Sequence, residues 1–422
     1  MRALRGCVMA LRDDLKQDFP VLRQRIHGSR LVYLDSGNTS QKPQAVIDSM
    51  ANYYEHDNAN VHRGSYELAV RATEALEGGR AKVARFINAA SVSEIVFTKN
   101  ATESMNLIAR SWGAANLDEG DAVVISEMEH HANIVPWHIL AAERGIELRW
   151  IPVDPSGHLD LTDLDRLLDG AKLVSVTAMS NVLGTLNDIP RLAAGAHAAG
   201  ALIAVDASQY VPHLPTDVQA MGADFVVFTG HKMLGPMGIG VLWARTELLE
   251  EMPPFLGGGE MILNVTKTGF TTAAVPWKFE AGTPMVADVV GLGAAVDYLT
   301  ELGMDNVRRH EVELTAYAMR TLTEALGDTI TIHGPTEPSE RGGVLSFIYG
   351  DVHPHDVAQV LDQVGVCVRA GHHCAKPLMS ALGVNATSRA SLYLYNDESD
   401  IDRLSAALTA AAKIFAPYVR QT

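Results

Sequence analysis

Short apolar runs that each end in polar, chemically capable residues constrain this chain more than any other feature. They occupy 94–98, 122–126, 148–153, 173–177, 202–206 and 224–228. Several are apolar throughout, as strands covered on both faces require. Helix-like stretches lie between several of them, such as 188–200. That alternation predicts βαβ units and a mainly parallel sheet. A further run at 239–243 follows 226–228 too closely for a helical crossover, so it is expected to be an antiparallel neighbour.

Beyond Gly257-Gly258-Gly259 the pattern changes. Residues 285–326 read as largely helical, with Gly303 interrupting. Strands are expected near 329–332 and 343–349, a helix at 356–364 and a last helix at 400–415. The sequence thus predicts an α/β fold in two parts. A large domain with a mainly parallel, mixed sheet spans 31–290. A smaller α+β domain spans 291–422, with residues 1–30 packing against it.

Composition narrows the function. The chain has 422 residues and a net charge of −16, from 34 basic and 50 acidic side chains. No Lys/Arg cluster stands out, which argues against a nucleic-acid surface. No stretch approaches the ~18 consecutive apolar residues of a membrane span. The apolar run 6–11 ends at Arg12-Asp13-Asp14, too short for a signal peptide. Residues 1 to about 15 read as an extension. Three cysteines, Cys7, Cys367 and Cys374, give no disulfide framework and point to a reducing, cytoplasmic setting.

In open α/β sheets, ligands bind beyond the carboxyl ends of the strands. Asn100 and Thr102 follow the first run, at a helix start suited to an anion. His130 and His131 follow the second. Ser180 and Asn181 follow 173–177, Asp206 ends its own run with Gln209 three residues on, and Thr229, His231 and Lys232 follow 224–228. Singly, each has a plain reading: a helix cap, a strand end, a solvated lysine. Together they match one molecule. Thr102, Thr229 and His231 suit a phosphate, Asp206 a cationic ring nitrogen, His130 a ring face, and Lys232 a Schiff base with an aldehyde. Pyridoxal phosphate has all four features.

These residues also carry a resemblance. The stretch Thr229-Gly-His-Lys-Met-Leu-Gly-Pro236 looks like the cofactor-lysine motif of class V aminotransferase-fold enzymes. With 129–137 (Glu-His-His-Ala-Asn-Ile-Val-Pro-Trp), 180–185 (Ser-Asn-Val-Leu-Gly-Thr), 279–284 (Phe-Glu-Ala-Gly-Thr-Pro) and 369–375 (Arg-Ala-Gly-His-His-Cys-Ala), it resembles the SufS-type cysteine desulfurases from about Val32 to the last helix. The resemblance implies fold type I of the pyridoxal-phosphate enzymes and a homodimer with shared sites. It implies that Lys232 holds the cofactor, Asp206 pairs with the ring nitrogen, His130 stacks on the ring, and Gln209 contacts the ring hydroxyl. Thr102, Thr229 and His231 would bind the phosphate, helped by Thr283 of the other subunit. Asn181 and Arg389 would hold the substrate carboxylate. Arg369 would sit near the nucleophile loop, and Arg63 would reach the partner's site. Two positions depart from the pattern. Ser208 replaces the alanine that follows the pyridinium Asp by two residues, and Gly37-Asn38 replaces an Ala-Ala or Gly-Ala pair, so that Asn38 adds a substrate contact.

Cys374 separates desulfuration from transamination. A sulfur-accepting thiolate is expected on a mobile, polar loop with cationic or imidazole neighbours. Arg369, His372 and His373 supply the neighbours, and Gly371 the flexibility. Cys367, between Val366 and Val368, fits a small buried apolar residue instead. A zinc site of His372, His373 and Cys374 ranks lower, because adjacent residues chelate poorly. The sequence therefore points to conversion of L-cysteine to L-alanine, with a persulfide on Cys374. The sulfur would pass to a SufE-like or SufU-like acceptor for iron–sulfur cluster assembly. Selenocysteine lysis, another class V lyase or aminotransferase reaction, and a catalytically silent scaffold are the competing readings.

Overall fold

The seven apolar runs form one sheet in the computed structural model, which describes residues 11–12 and 14–415. The strands are β1 (Ile95–Thr98), β2 (Ala122–Ser126), β3 (Glu147–Ile151), β4 (Ala171–Thr177), β5 (Leu202–Asp206), β6 (Phe225–Thr229) and β7 (Gly240–Ala244). Their spatial order is β1-β7-β6-β5-β4-β2-β3. The strands from β6 to β3 run parallel, while β7 is antiparallel to both β6 and β1. The expected antiparallel neighbour is therefore present, and β1, β2, β4, β5, β6 and β7 are buried along their length or nearly so. Cys7 and most of the expected N-terminal extension lie outside the described residues.

Helices cover the sheet. Among them are α1 (Gln44–Asn52), α2 (Glu67–Phe86), α3 (Ala101–Leu107), α4 (Val135–Arg144) and α5 (Ile189–Ala198). The stretch expected to be helical about Gly303 is α6 (Val286–Leu302) and α7 (Met304–Leu326). A second, antiparallel sheet follows, with strands β8 (Ile330–Ile332), β9 (Val344–Tyr349), β10 (Arg369–Gly371) and β11 (Thr387–Ser391) in the order β8-β9-β11-β10. Its apolar face packs with α7 and with the last helix, α8 (Glu398–Ile414), around Leu345, Phe347, Leu404 and Leu408. The N-terminal strand Val32–Tyr33 pairs in parallel with Val366–Cys367 beside this sheet.

The edge strand β1 exposes a problem every open sheet has, unpaired backbone groups along its outer side. A buried ion pair solves it. Glu280 accepts a hydrogen bond from the Phe97 N–H (2.7 Å), and Arg80 donates to the Ile95 carbonyl (2.7 Å). Arg80 also grips both Glu280 oxygens at 2.7 and 2.8 Å, and its guanidinium lies 4.7 Å from the Phe97 ring centre. Replacing Arg80 with Ala leaves the Glu280 carboxylate buried and unpaired, which costs ~3–5 kcal/mol. Chemical unfolding of Arg80→Ala should show that loss, and Arg80→Ala together with Glu280→Gln should recover part of it.

Candidate active site

The carboxyl ends of β1, β4, β5 and β6, with the turn after β2, open on one cavity of about 210 Å³. That is room for a molecule several times larger than the ~30 Å³ of a water. Lining it are Asn100 and Thr102, His130, Asn181, Asp206 and Gln209, Thr229, His231 and Lys232, together with Asn38 and Ser208. Of the strand-end residues that the sequence singles out, all but His131 and Ser180 line this cavity.

Each is placed by local structure. Asn100 caps α3, its side chain accepting from the Glu103 N–H at 3.0 Å, so the first N–H groups of that helix face the cavity end. Gly240 of β7 runs so close to Asn100 that a Cβ there would sit 2.4 Å from the Asn100 carbonyl carbon. Only glycine permits that approach. Asp206 ends β5 and accepts from the Ser208 N–H at 3.0 Å. Gln209 donates to the Gly37 carbonyl at 2.6 Å, while its Oε1 is buried without a partner. Lys232 lies on the tight turn between β6 and β7, which closes with Gly230 N–H donating to the Ile239 carbonyl (2.9 Å).

Burial sets the protonation states. Lys232 is held down to about 8: burial disfavours its ammonium, Asp206 opposes this, and Arg389 adds to it. His130 is lowered to about 4, first by burial and then by the Lys232 charge. His231 is likewise lowered to about 4 by burial, then by Lys232 and Lys42. At neutral pH both imidazoles are neutral. An uncharged ring at His130 suits stacking and proton transfer.

The thiol comes from beside the other sheet, and neither Cys374 nor Arg389 is among the residues lining the cavity. Cys374 follows β10 and is exposed. The sequence predicts a mobile loop here, but the structure ties it on both sides. The Asn181 side chain donates to the His373 carbonyl (2.7 Å), and the His131 N–H donates to the Cys374 carbonyl (2.7 Å). His131 Nε2 accepts from the Lys376 N–H (3.1 Å). His373 and Cys374 both adopt left-handed backbone, φ 49° and 57°, a conformation uncommon outside glycine. These long-range bonds fix the loop against the turn that carries His130, and neither is visible in local sequence.

Arg389 comes from β11 and is buried. It donates to the Asn181 carbonyl (2.8 Å) and pairs with Asp35 (3.4 Å), leaving its Nε buried without a partner. Burial keeps Asp35 above its ordinary range, although Arg389 and Arg369 pull it the other way. Arg369 is exposed on β10, directly opposite Arg389 in the strand register. Cys367 is half-buried beside Tyr33 and Asp35.

Thr283 and Arg63 do not line the Lys232 cavity of this chain. Thr283 belongs to a separate cavity with Phe97 and Pro284, and Arg63 is exposed ahead of α2. Glu129, to which the sequence assigns no role, is a further functional residue of the site. It is fully buried and accepts from Ser126 Oγ (2.5 Å), Asn133 Nδ2 (2.6 Å) and the Thr177 N–H (2.9 Å). Glu129 thus binds the His130 turn to the end of β4, and burial pushes its carboxyl up to about 8. An acid directly before the paired histidines was the available signal.

These residues fit pyridoxal phosphate. A buried amine, a carboxylate at a strand end and an unmet Gln209 acceptor face one cavity, whose far end offers helix N–H groups and a Thr hydroxyl to an anion. The model of the class-V aminotransferase family matches residues 32–404. A probable cysteine desulfurase of Streptomyces coelicolor is 52% identical over 409 residues, 96% of this chain and 97% of that protein. The solved cysteine desulfurase of Thermococcus onnurineus NA1 superposes with a TM-score of 0.89 at 38% identity, over 96% of this chain and 100% of that one. The cysteine desulfurase CsdA of Escherichia coli gives 0.86, also at 38%, over 94% and 98%.

The lowered imidazoles predict acid sensitivity. Unfolded, His130 and His231 take up protons near the ordinary histidine value of ~6.5. Folded, they do so only near 4. Between these values the unfolded chain binds more protons, so stability falls as pH falls. Urea midpoints of the cofactor-free protein should drop from pH 7 to pH 5, and His130→Gln should flatten that slope.

Proposed function

From a chain that belongs to the class-V aminotransferase family, we infer a pyridoxal-phosphate-dependent cysteine desulfurase that converts L-cysteine to L-alanine and takes the sulfur on Cys374. The observation that carries the reading is a solvent-facing thiol on a loop tied to the site, His131 holding the Cys374 carbonyl and Asn181 joining the His373 carbonyl to Arg389. An aminotransferase has no use for such a group.

The cofactor, when bound, supplies an electron sink for charge developing on the substrate's α-carbon. Lys232 is its attachment point and, once free, the base that takes the α-proton; an amine held near 8 is close to balanced for that task. Asp206 holds the proton on the ring nitrogen. His130, a neutral imidazole lining the cavity, would face the ring. Gln209 addresses the ring hydroxyl, and Thr102, Thr229 and His231 the phosphate. Arg389 and Asn181 receive the substrate carboxylate, which takes the place Asp35 holds at the guanidinium. Asn38 and Ser208 add polar groups beside the substrate and the ring.

Cys374 thiolate would attack the substrate sulfur: an Sγ–Sγ bond forms, the substrate Cβ–Sγ bond breaks with its electron pair left on the β-carbon, which is protonated, and Lys232 returns a proton to the α-carbon to give L-alanine. The persulfide passes to an acceptor of the SufE or SufU type, and the chain works as a cytoplasmic homodimer in the SufS manner. Thr283 and Arg63, remote from this chain's own cavity, serve the partner's site. The small sheet with the N-terminal segment forms a second domain.

Cys374→Ala should abolish protein persulfide while leaving the cofactor's visible absorbance intact; persulfide formation at the wild-type rate in that variant would overturn the assignment. Arg389→Gln should raise KM for L-cysteine by roughly 30-fold or more, the cost of a lost charge-assisted bidentate contact. Steady-state alanine release measures it.

A further inference from the structure

A single carbonyl, that of His231, receives four donors from a segment almost two hundred residues earlier. They are the Ser40 N–H (3.0 Å), Thr39 Oγ1 (3.0 Å), Ser40 Oγ (3.1 Å) and the Lys42 ammonium (2.8 Å). Ser40 Oγ also accepts from the Leu234 N–H (2.9 Å), where the chain turns through a left-handed φ of 66°. The peptide so held is the one that joins His231 to Lys232.

Lys42 makes this more than a loop contact. Its amine is buried enough that desolvation alone lowers it to about 7. Among the described residues it has no carboxylate partner; its bonds are to the Ser40 carbonyl (2.7 Å), Ser40 Oγ (3.4 Å) and the His231 carbonyl. A cation drawn out of water without a counter-charge is costly, and most lysines avoid it. Nor is it among the residues lining the cavity. What it does reach is the main chain from which the reactive lysine springs. Charged or neutral, the amine donates there, and the bond resists rotation of the peptide plane, most strongly in the charged form.

We propose that Lys42 is a positioning residue, whose bond to the His231 carbonyl, with those of Thr39 and Ser40, aims the Lys232 amine at the cofactor aldehyde. This rests on the reading of Lys232 as the attachment point. A reacting group misplaced by a fraction of an ångström loses rate steeply. The side chain of Lys232 has five rotatable links between its α-carbon and the aldehyde, so a fixed origin matters more than it would for a short nucleophile.

The test uses full-length cofactor-free protein mixed with pyridoxal phosphate, quenched at set times with borohydride, and digested for mass spectrometry of the Lys232 peptide. Circular dichroism melting runs alongside. Lys42→Met should slow trapping at Lys232 roughly tenfold or more, and Lys42→Gln, which keeps a donor without the charge, should recover part of that rate. Trapping of Lys42→Met at the wild-type rate would overturn the proposal. So would equal slowing in Met and Gln variants that tracks an equal fall in melting temperature, the mark of a merely structural contact. If Lys42→Met does not fold, Ser40→Ala decides by the same assay: slower trapping supports the clamp, and an unchanged rate refutes it. Wild-type protein trapped at a lysine other than 232 would instead remove the reading of the site, and the inference with it.

Discussion

The buried Lys232 amine sits in an electrostatic balance on which the rest of the site depends. Burial pushes it toward the neutral form, the Asp206 carboxylate pulls it back toward the cation, and Arg389 pushes it away again. The balance survives only if water stays out, which requires continuous strands beneath the amine and helices on both faces. The apolar lengths of β4, β5 and β6 meet that need, and the Arg80–Glu280 pair closes the open side of β1. The same dryness explains why His130 and His231 are neutral at physiological pH: neither has a carboxylate close enough to outweigh desolvation.

The two sheets divide the labour. The seven-stranded sheet supplies what a planar phosphorylated ring needs. In the proposed function the four-stranded sheet supplies the groups for the amino-acid substrate, Arg389 from β11 and Cys374 after β10. Asn181 stitches the two together, its side chain on the His373 carbonyl and its own carbonyl on Arg389. Any motion between the sheets is therefore felt at the carboxylate pocket and at the thiol together.

Much of this was legible in residue order. Strands buried on both faces must be apolar throughout, so 122–126, 202–206 and 224–228 announced themselves, and their polar successors located the cavity. The short link before 239–243 revealed the antiparallel strand because no helix fits in it. What stayed hidden were pairings between distant residues. Glu129 was visible as a letter, but its three donors come from Ser126, Asn133 and Thr177. Asp35 as counter-ion to Arg389, and the donors gathered on the His231 carbonyl, have no local periodicity to betray them. The nucleophile loop misled for the same reason: Gly371 suggests freedom, while the bonds that restrain Cys374 come from His131 and Asn181.

The pairing of Val32–Tyr33 with Val366–Cys367, and of Asp35 with Ser391, has a consequence for biosynthesis. Residues 32–35 emerge early from the ribosome, but their strand partners at 366–367 and 391 are made last. The residues that line the cavity all lie between 38 and 232, whereas Arg389 and the Cys374 loop come from strands made last. Long-range closure of this kind is slow compared with local structure. Newly made molecules therefore pass through a stage in which the large sheet is formed while Arg389 and the Cys374 loop have yet to join it.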